Sequence, residues 1–379
     1  MQLTLTDTQK LVRDTARAFA RDVIAPRAEE IDVEARIPME ILSGLAELGL
    51  MGVNVPEAYG GSEAGVVSYA LAMEAISGAC ASTSVTMAVT NMVAEVLCEF
   101  GTEAQRQRYV PKITGGEYPA ASFALSEPEA GSDPGAMRTT ATRDGDGWIL
   151  EGTKQWITSG PFAGVFVVWA RTGDPGPKGI SCFLVEQGTP GLRVGRHEKK
   201  MGLRGSPTTA LHLEDCRVPG DALLGELGGG FKIAMMALDG GRVGIASQAL
   251  GIAEAALAAS LTYAKDRVTF GQPIAEHQAI QWMIADSRTA LDAARLLTHR
   301  AATMKEAKQR FSAEAAKAKL FATEEAWKVC DRALQIHGGY GYTMDFPVER
   351  HLRDVRVTRI YEGTSEIQRI VIGRGQLEG

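Results

Sequence analysis

The pattern of apolar and polar positions divides the chain into three stretches. From residue 1 to 120, apolar residues recur at helical spacing. Leu11, Val12, Ala16, Phe19 and Val23 mark the first helical face. Thr6 followed by Gln9 has the form of a capping box at its start. Pro26 is expected to end that run. Pro38 suits the first turn of a second helix, Met39 to Leu48. Residues 53–61 read as a loop on their Pro and Gly signals. Two more helices are expected near 66–78 and 82–100. Thr102 with Gln105 boxes a short one that ends before Pro111.

Residues 121–230 change period. Short β-rich runs, at Trp148, Val165 to Trp169, Ser181 to Val185 and Ala210 to Leu213, alternate with Gly- and Pro-containing turns. This spacing predicts a small antiparallel barrel or sandwich. Residues 231–379 return to long helical runs, near 231–265, 275–305 and 312–336, as in a helix bundle. A Gly338-Gly-Tyr-Gly341 break leads to a stretch near 346–358. A last helix follows Gly363, with Ser365 and Gln368 read as its capping box. The expected fold is mostly α with a β middle domain: helical domain 1–120, β domain 121–230, helix bundle 231–379. A doubly wound sheet or TIM barrel is excluded, because both alternate strands with helices throughout.

Composition narrows the function. With 379 residues the chain can bury a core without disulfide or metal staples. Lys+Arg of 40 against Asp+Glu of 46 gives a net charge of −6. That balance argues against nucleic acid or an anionic membrane as the main partner. No apolar run reaches the roughly 18 residues of a membrane span. Cys80, Cys98, Cys182, Cys216 and Cys330 show no C-x-x-C spacing, so a disulfide framework or zinc site is not expected and a reducing compartment fits. The N-terminal stretch lacks the features of a secretory signal. The expectation is a cytoplasmic protein, or a mitochondrial matrix protein if a transit peptide has been removed.

No G-x-G-x-x-G after a strand, Walker loop, H-E-x-x-H or G-x-S-x-G is present, and the six histidines are scattered. Three segments carry more than packing requires. In Phe123-Ala-Leu-Ser-Glu-Pro-Glu-Ala-Gly-Ser-Asp133, small and hydroxyl residues follow a short strand. Gly131 offers bare backbone to an anion or ring, and Ser126 and Ser132 offer hydrogen bonds; an acidic turn is the plainer alternative. In Lys154-Gln-Trp-Ile-Thr-Ser-Gly160, alternation puts Trp156 and Thr158 on one face of a strand, which suits a planar ligand. A core tryptophan is the alternative there. In Ile360-Tyr-Glu-Gly-Thr-Ser-Glu-Ile-Gln368, Glu362 stands between an aromatic residue and a glycine before a helix. In an apolar pocket its pKa would rise and it could serve as a base; an exposed loop acid is the alternative.

Together these segments resemble the acyl-CoA dehydrogenases, flavin enzymes that oxidise acyl-CoA thioesters. Further matching pieces are 55–61, 201–206, 267–272 and 335–341, the last continued by Arg350 and Asp354. Segments 79–83 and 241–251 look most like the short-chain, butyryl-CoA branch. The resemblance implies an N-terminal helical domain, a β middle domain and a C-terminal four-helix bundle, assembled as a homotetramer built from dimers. It implies FAD as cofactor, acyl-CoA as substrate and electron-transfer flavoprotein as electron acceptor.

By the same resemblance Glu362 is the base that takes the α-proton. Isovaleryl- and long-chain-type members carry the base where Gly241 stands here, which favours Glu362. Phe123, Leu125, Ser126, Gly131 and Ser132 would contact the flavin and pyrophosphate, and Trp156, Ile157 and Thr158 would cover the ring. Arg267, Thr269, Phe270, Gln278, Gln335, Gly338 and Gly339 match positions by which a neighbouring subunit holds the cofactor. Thr364 and Glu366 match positions near its adenosine half. Ser132, Asp239 and Arg242 would contact CoA, and Tyr361 and Gly363 would also contact the substrate. For Arg242 a surface salt bridge with Asp239 is the alternative. Val85, Ala88, Val89 and Met92 are candidates for the acyl pocket wall, with helix-helix core as the alternative. Same-fold alternatives for the reaction are branched, cyclic or carrier-bound thioesters, an oxidase, or a non-enzymatic binding member.

Overall fold

The computed structural model describes residues 4–377; residues 1–3, the start of the stretch read for targeting signals, lie outside the described residues. Helices α1 (Asp7–Phe19), α2 (Ala28–Glu34), α3 (Met39–Glu47), α4 (Val66–Ala79), α5 (Ala81–Phe100) and α6 (Glu103–Thr114) come first. Both N-terminal capping boxes form, Thr6 with Gln9 and Thr102 with Gln105. Pro26 does not end the first run. A π-helical turn, Ala20–Ile24, and a 3-10 turn, Ala25–Arg27, carry the chain straight into α2. Pro26 sits in the first turn of that 3-10 piece, where its missing N–H costs nothing. Pro111 likewise lies inside α6 instead of ending it. Burial of Tyr109, Val110 and Ile113 holds the last turn, and the Thr114 hydroxyl donates to Val110 O at 3.1 Å.

The middle part is one eight-stranded sheet: β1 (Ala120–Ala124), β2 (Thr140–Asp144), β3 (Gly147–Thr158), β4 (Ala163–Arg171), β5 (Ile180–Glu186), β6 (Leu192–Val194), β7 (Thr208–Val218) and β8 (Leu223–Leu224). Its order is β6-β7-β3-β2-β4-β5-β8, with β1 beside β4. The pairings are antiparallel except that β1 and β2 run parallel to β4. The sequence predicts a small antiparallel barrel or sandwich, and the parallel pairings of β1 and β2 with β4 are the exceptions. β1 follows a helix and no hairpin, so no tight turn dictates its direction.

Helix α7 (Gly230–Asp266) starts where the sheet ends, and Trp169, fully buried in β4, donates its indole N–H to Gly230 O at 2.7 Å. A small hairpin, β9 (Val268–Thr269) and β10 (Gln272–Pro273), leads to α8 (Gln278–Glu306) and α9 (Ser312–His337). Helices α7, α8 and α9 pack together; α10 (Val348–Val355) and α11 (Ser365–Leu377) lie against α9. Helices α5 and α7 are long and apolar enough to span a membrane, contrary to the sequence reading, but 89% and 78% of their apolar windows are buried in the protein. A helix apolar on every side is a core helix when protein surrounds it, and α5 runs through the middle of this one.

Candidate active site

The chain between α10 and α11 turns sharply at Glu362 and Gly363, whose φ angles are +55° and +88°. A left-handed glutamate is uncommon, and the surroundings must hold it there. They do so through the Gly363 carbonyl, which accepts from Lys319 Nζ at 2.5 Å and Gln368 Nε2 at 2.8 Å. Gln368 Nε2 also reaches Glu362 O at 3.3 Å. The expected Ser365–Gln368 capping box is therefore absent. Helix α11 begins at Ser365, so Thr364 caps it, accepting from Ile367 N at 3.3 Å. Ser365 donates instead to Glu324 at 2.6 Å.

This turn directs the Glu362 carboxyl inward against α7 and α5. A Cβ placed on Gly241 would lie 2.5 Å from Glu362 Oε2 and 3.3 Å from Met92 Sδ. Glu362 Oε2 is buried and has no hydrogen-bond partner. Burial pushes this carboxyl up to about 7, against the pull of the Lys319 and Arg242 cations. An unpartnered carboxylate with that pKa is suited to take a proton at neutral pH.

Arg242 pairs with Asp239 one helical turn away, as the salt-bridge alternative foresaw. The pair is not on the surface, however: Arg242 is 5% exposed, and its Nε is buried without a partner. The second Asp239 oxygen accepts from the Ser312 hydroxyl. Tyr361 donates its hydroxyl to Gln248 Oε1, and Gln248 Nε2 donates to Ser84 Oγ at 3.0 Å and Ala81 O at 3.1 Å.

Helix α5 connects this turn to the sheet. Thr86 accepts from Ser159 Oγ at 3.4 Å, and Thr90 from Ala121 N at 3.3 Å. Of the four pocket-wall candidates, Met92 reaches the space beside Glu362. Val85 and Val89 share its apolar cluster, whereas Ala88 packs into a separate one with Tyr69 and Met73.

The two flavin-type segments of the sequence lie side by side on the sheet. Gln155 N donates to Ser126 O at 2.9 Å, and Ser122 Oγ to Thr158 O at 2.6 Å. A β-bulge in β3 against β7 falls between Lys154 and Ile157, and Trp156 takes a φ of +65° there. The bulge turns Trp156 out, 61% exposed, while Ile157 is buried. Trp156 is thus not the core tryptophan of the plainer alternative. Beneath it, Lys154, fully buried, donates to Glu127 Oε1 at 2.8 Å and Leu125 O at 3.2 Å. Glu127 also accepts from Arg138 N and Thr139 N. This buried pair fixes the loop after β1. Gly131 and Ser132 are exposed, and a Cβ on Gly131 would meet nothing within 4 Å. Phe123 packs its ring on Trp169, with centroids 4.3 Å apart.

The remaining cofactor candidates gather elsewhere. Arg267, Thr269, Gly338 and Gly339 line a cleft of about 490 Å³ with Tyr263, His337 and Tyr340. Residues 123–132 and 156–158 do not line it. Phe270 stands 96% exposed at the tip of the β9–β10 hairpin, and Gln278 and Gln335 are exposed. Glu366 is exposed in the first turn of α11. One chain therefore presents two separate half-sites. Both fit parts of a dinucleotide flavin. An indole turned to solvent beside the half-buried Ser126 and Thr158 suits a flat heteroaromatic ring. Bare glycines beside Arg267 and Thr269 suit phosphate oxygens.

Sequence reasoning missed Lys319, Gln248 and the Lys154–Glu127 pair, and reads Gln368 only as a helix cap. Lys319 left a trace. It occupies the apolar stripe Ala315, Lys319, Ala322, Ala326 of α9, where spacings of four and three place it on the buried face.

With this geometry in hand, models of the acyl-CoA dehydrogenase N-terminal, middle and C-terminal domains match residues 6–117, 122–216 and 228–377. The mitochondrial short-chain specific acyl-CoA dehydrogenase of Bos taurus is 51% identical over 97% of this chain and 90% of its own length. An acryloyl-CoA reductase (NADH) of Anaerotignum propionicum is 46% identical, over 99% and 95%. The solved butyryl-CoA dehydrogenase of Megasphaera elsdenii superposes with a TM-score of 0.97 at 42% identity, covering 100% of both chains. The three-domain fold and these matches thus define an oxidoreductase of acyl thioesters. The chain belongs to the acyl-CoA dehydrogenase family.

Proposed function

We propose that this chain oxidises short-chain acyl-CoA to the trans-2-enoyl-CoA, with Glu362 as the base and FAD as the cofactor. The observation that carries the reading is the Glu362 carboxyl, whose Oε2 is buried without a hydrogen-bond partner beside the bare Gly241. Leu125, Ser126, Gly131, Ser132, Trp156, Ile157 and Thr158 would hold the flavin half from one subunit. Arg267, Thr269, Phe270, Gln278, Gln335, Gly338 and Gly339 would hold the cofactor from a neighbour in a homotetramer, with Thr364 and Glu366 near its adenosine half. Bound FAD would supply the acceptor for the Cβ hydride and the route by which the electrons would pass to an electron-transfer flavoprotein.

The chain's own residues do the rest. Glu362 takes the proton from Cα of the thioester. Lys319 and Gln368 keep its turn in place, so the carboxyl is aimed before substrate arrives. The Glu362 backbone N–H would stabilise the negative charge that develops on the thioester oxygen. Arg242, held by Asp239, supplies a cation for a polar group of CoA. Ser132, Tyr361 and Gly363 complete the substrate contacts. Met92 and Val89 line the acyl end. A methylene in such a pocket is worth about 1–3 kcal/mol, so chain length is a graded preference.

Steady-state rates with butyryl-, isobutyryl- and octanoyl-CoA and an electron-transfer flavoprotein test this reading. Butyryl-CoA is expected to give the highest kcat/KM. A preference for octanoyl-CoA or isobutyryl-CoA would overturn the short-chain assignment. NADH oxidation on adding acryloyl-CoA would instead assign the reductive direction of the Anaerotignum relative.

A further inference from the structure

Lys319 is a lysine with no solvent exposure, in the middle of α9. A buried ammonium is costly unless something is gained from it. It is not spent on an ion pair of its own: among the described residues Lys319 forms no salt bridge or hydrogen bond with a carboxylate. Its one hydrogen bond goes to the Gly363 carbonyl, at 2.5 Å, immediately after the base. That carbonyl belongs to the left-handed pair Glu362 and Gly363, and Gln368 holds it from the other side at 2.8 Å.

We infer that Lys319 is a positioning residue for the base: its ammonium clamps the Gly363 carbonyl and supplies the positive charge that faces the Glu362 carboxyl from α9. The inference rests on the reading of Glu362 as the base. Around Glu362 stand Lys319 from α9, Arg242 from α7, Tyr69 from α4 and the neighbouring Tyr361. Around Lys319 stand Glu362, Arg242, Glu324 and Glu366. Burial pushes the Lys319 ammonium down to about 7, with the Glu362 carboxylate pulling the other way, and the Lys319 charge in turn pulls Glu362 down against its own burial. Arg242 is engaged by Asp239, which leaves Lys319 as the cation whose hydrogen bond reaches the base turn itself.

The test is the pH profile of kcat/KM for Lys319→Met and Lys319→Arg in the FAD-loaded enzyme, with unfolding midpoint and flavin content measured alongside. In Lys319→Met the acid limb is expected to move up by about one pH unit, a tenfold lower kcat/KM below the limb. KM should change little, and Lys319→Arg should return the limb toward its wild-type position. A limb that stays in place in the methionine variant overturns the inference, whatever happens to stability. If Lys319→Met does not fold, Lys319→Gln, which keeps a donor and drops the charge, gives the same comparison and is judged by the same limb. Glu362→Gln separates the two readings. Activity surviving there removes Glu362 as base, whereas its loss beside an unmoved limb in the Lys319 variants removes only the role of Lys319.

Discussion

Gly241 and Glu362 face each other so closely that a Cβ on Gly241 would lie 2.5 Å from Glu362 Oε2. The glycine of α7 and the glutamate of the α10–α11 connection thus share one space. Gly241→Ala should push the carboxyl aside. A displacement of about 1 Å in a reacting group costs about 10²-fold in rate. The expected result is a loss of that order in the rate of flavin bleaching by butyryl-CoA, with flavin content unchanged. Bleaching within threefold of wild type would contradict the placement.

The pH dependence follows from burial of the same carboxyl. Glu362 acts as a base only when ionised, and burial raises its pKa to about 7. In the free enzyme kcat/KM should therefore fall about tenfold for each pH unit below 7 and level off above it. A profile flat from pH 7 down to pH 5 would show that the base carries an ordinary carboxylate pKa.

How much of this was legible in the sequence depends on whether local or distant partners decide. The three-part division, the capping boxes at Thr6 and Thr102, and the long C-terminal helices follow from local periodicity. The errors at Pro26 and Pro111 came from reading a proline as a stop, when adjacent turns and burial kept the chain helical. Trp156 was read from strand alternation. Its exposure depends on a bulge that appears only when β7 pairs with β3. Glu362 stood out by its neighbours in sequence. What shapes its carboxyl, Gly241, Met92 and Lys319, comes from three other helices and carries no local signal beyond the misplaced lysine in the α9 stripe.

The buried pair under the flavin face gives a stability prediction. Burial pushes the Glu127 carboxyl up, but Lys154 and the Arg138 and Thr139 amides outweigh it and leave it below its ordinary value. The Glu127 carboxylate therefore contributes stability above the unfolded carboxylate range that is lost as pH falls through its folded pKa, while burial holds its partner Lys154 down to about 8. Lys154→Met leaves a buried carboxylate without its cation, and should cost about 3–5 kcal/mol in denaturant unfolding at pH 7. Flavin should be lost as well, because Leu125 O loses its donor. A variant of wild-type stability that retains its flavin would show the pair to be dispensable.

Arg242 is buried with Asp239 and keeps an unpartnered Nε. Arg242→Lys retains a cation and loses the planar fork. KM for butyryl-CoA should rise about tenfold, equivalent to about 1.4 kcal/mol, with a smaller change in kcat. An unchanged KM would take Arg242 out of the substrate contacts.

The most direct test of the central claim is an anaerobic mixing experiment with butyryl-CoA, following the flavin absorbance of wild type and Glu362→Gln. Rapid bleaching of the wild type and none in the variant, with both fully loaded with flavin, is the predicted result. Comparable bleaching in the variant would mean that another group removes the α-proton.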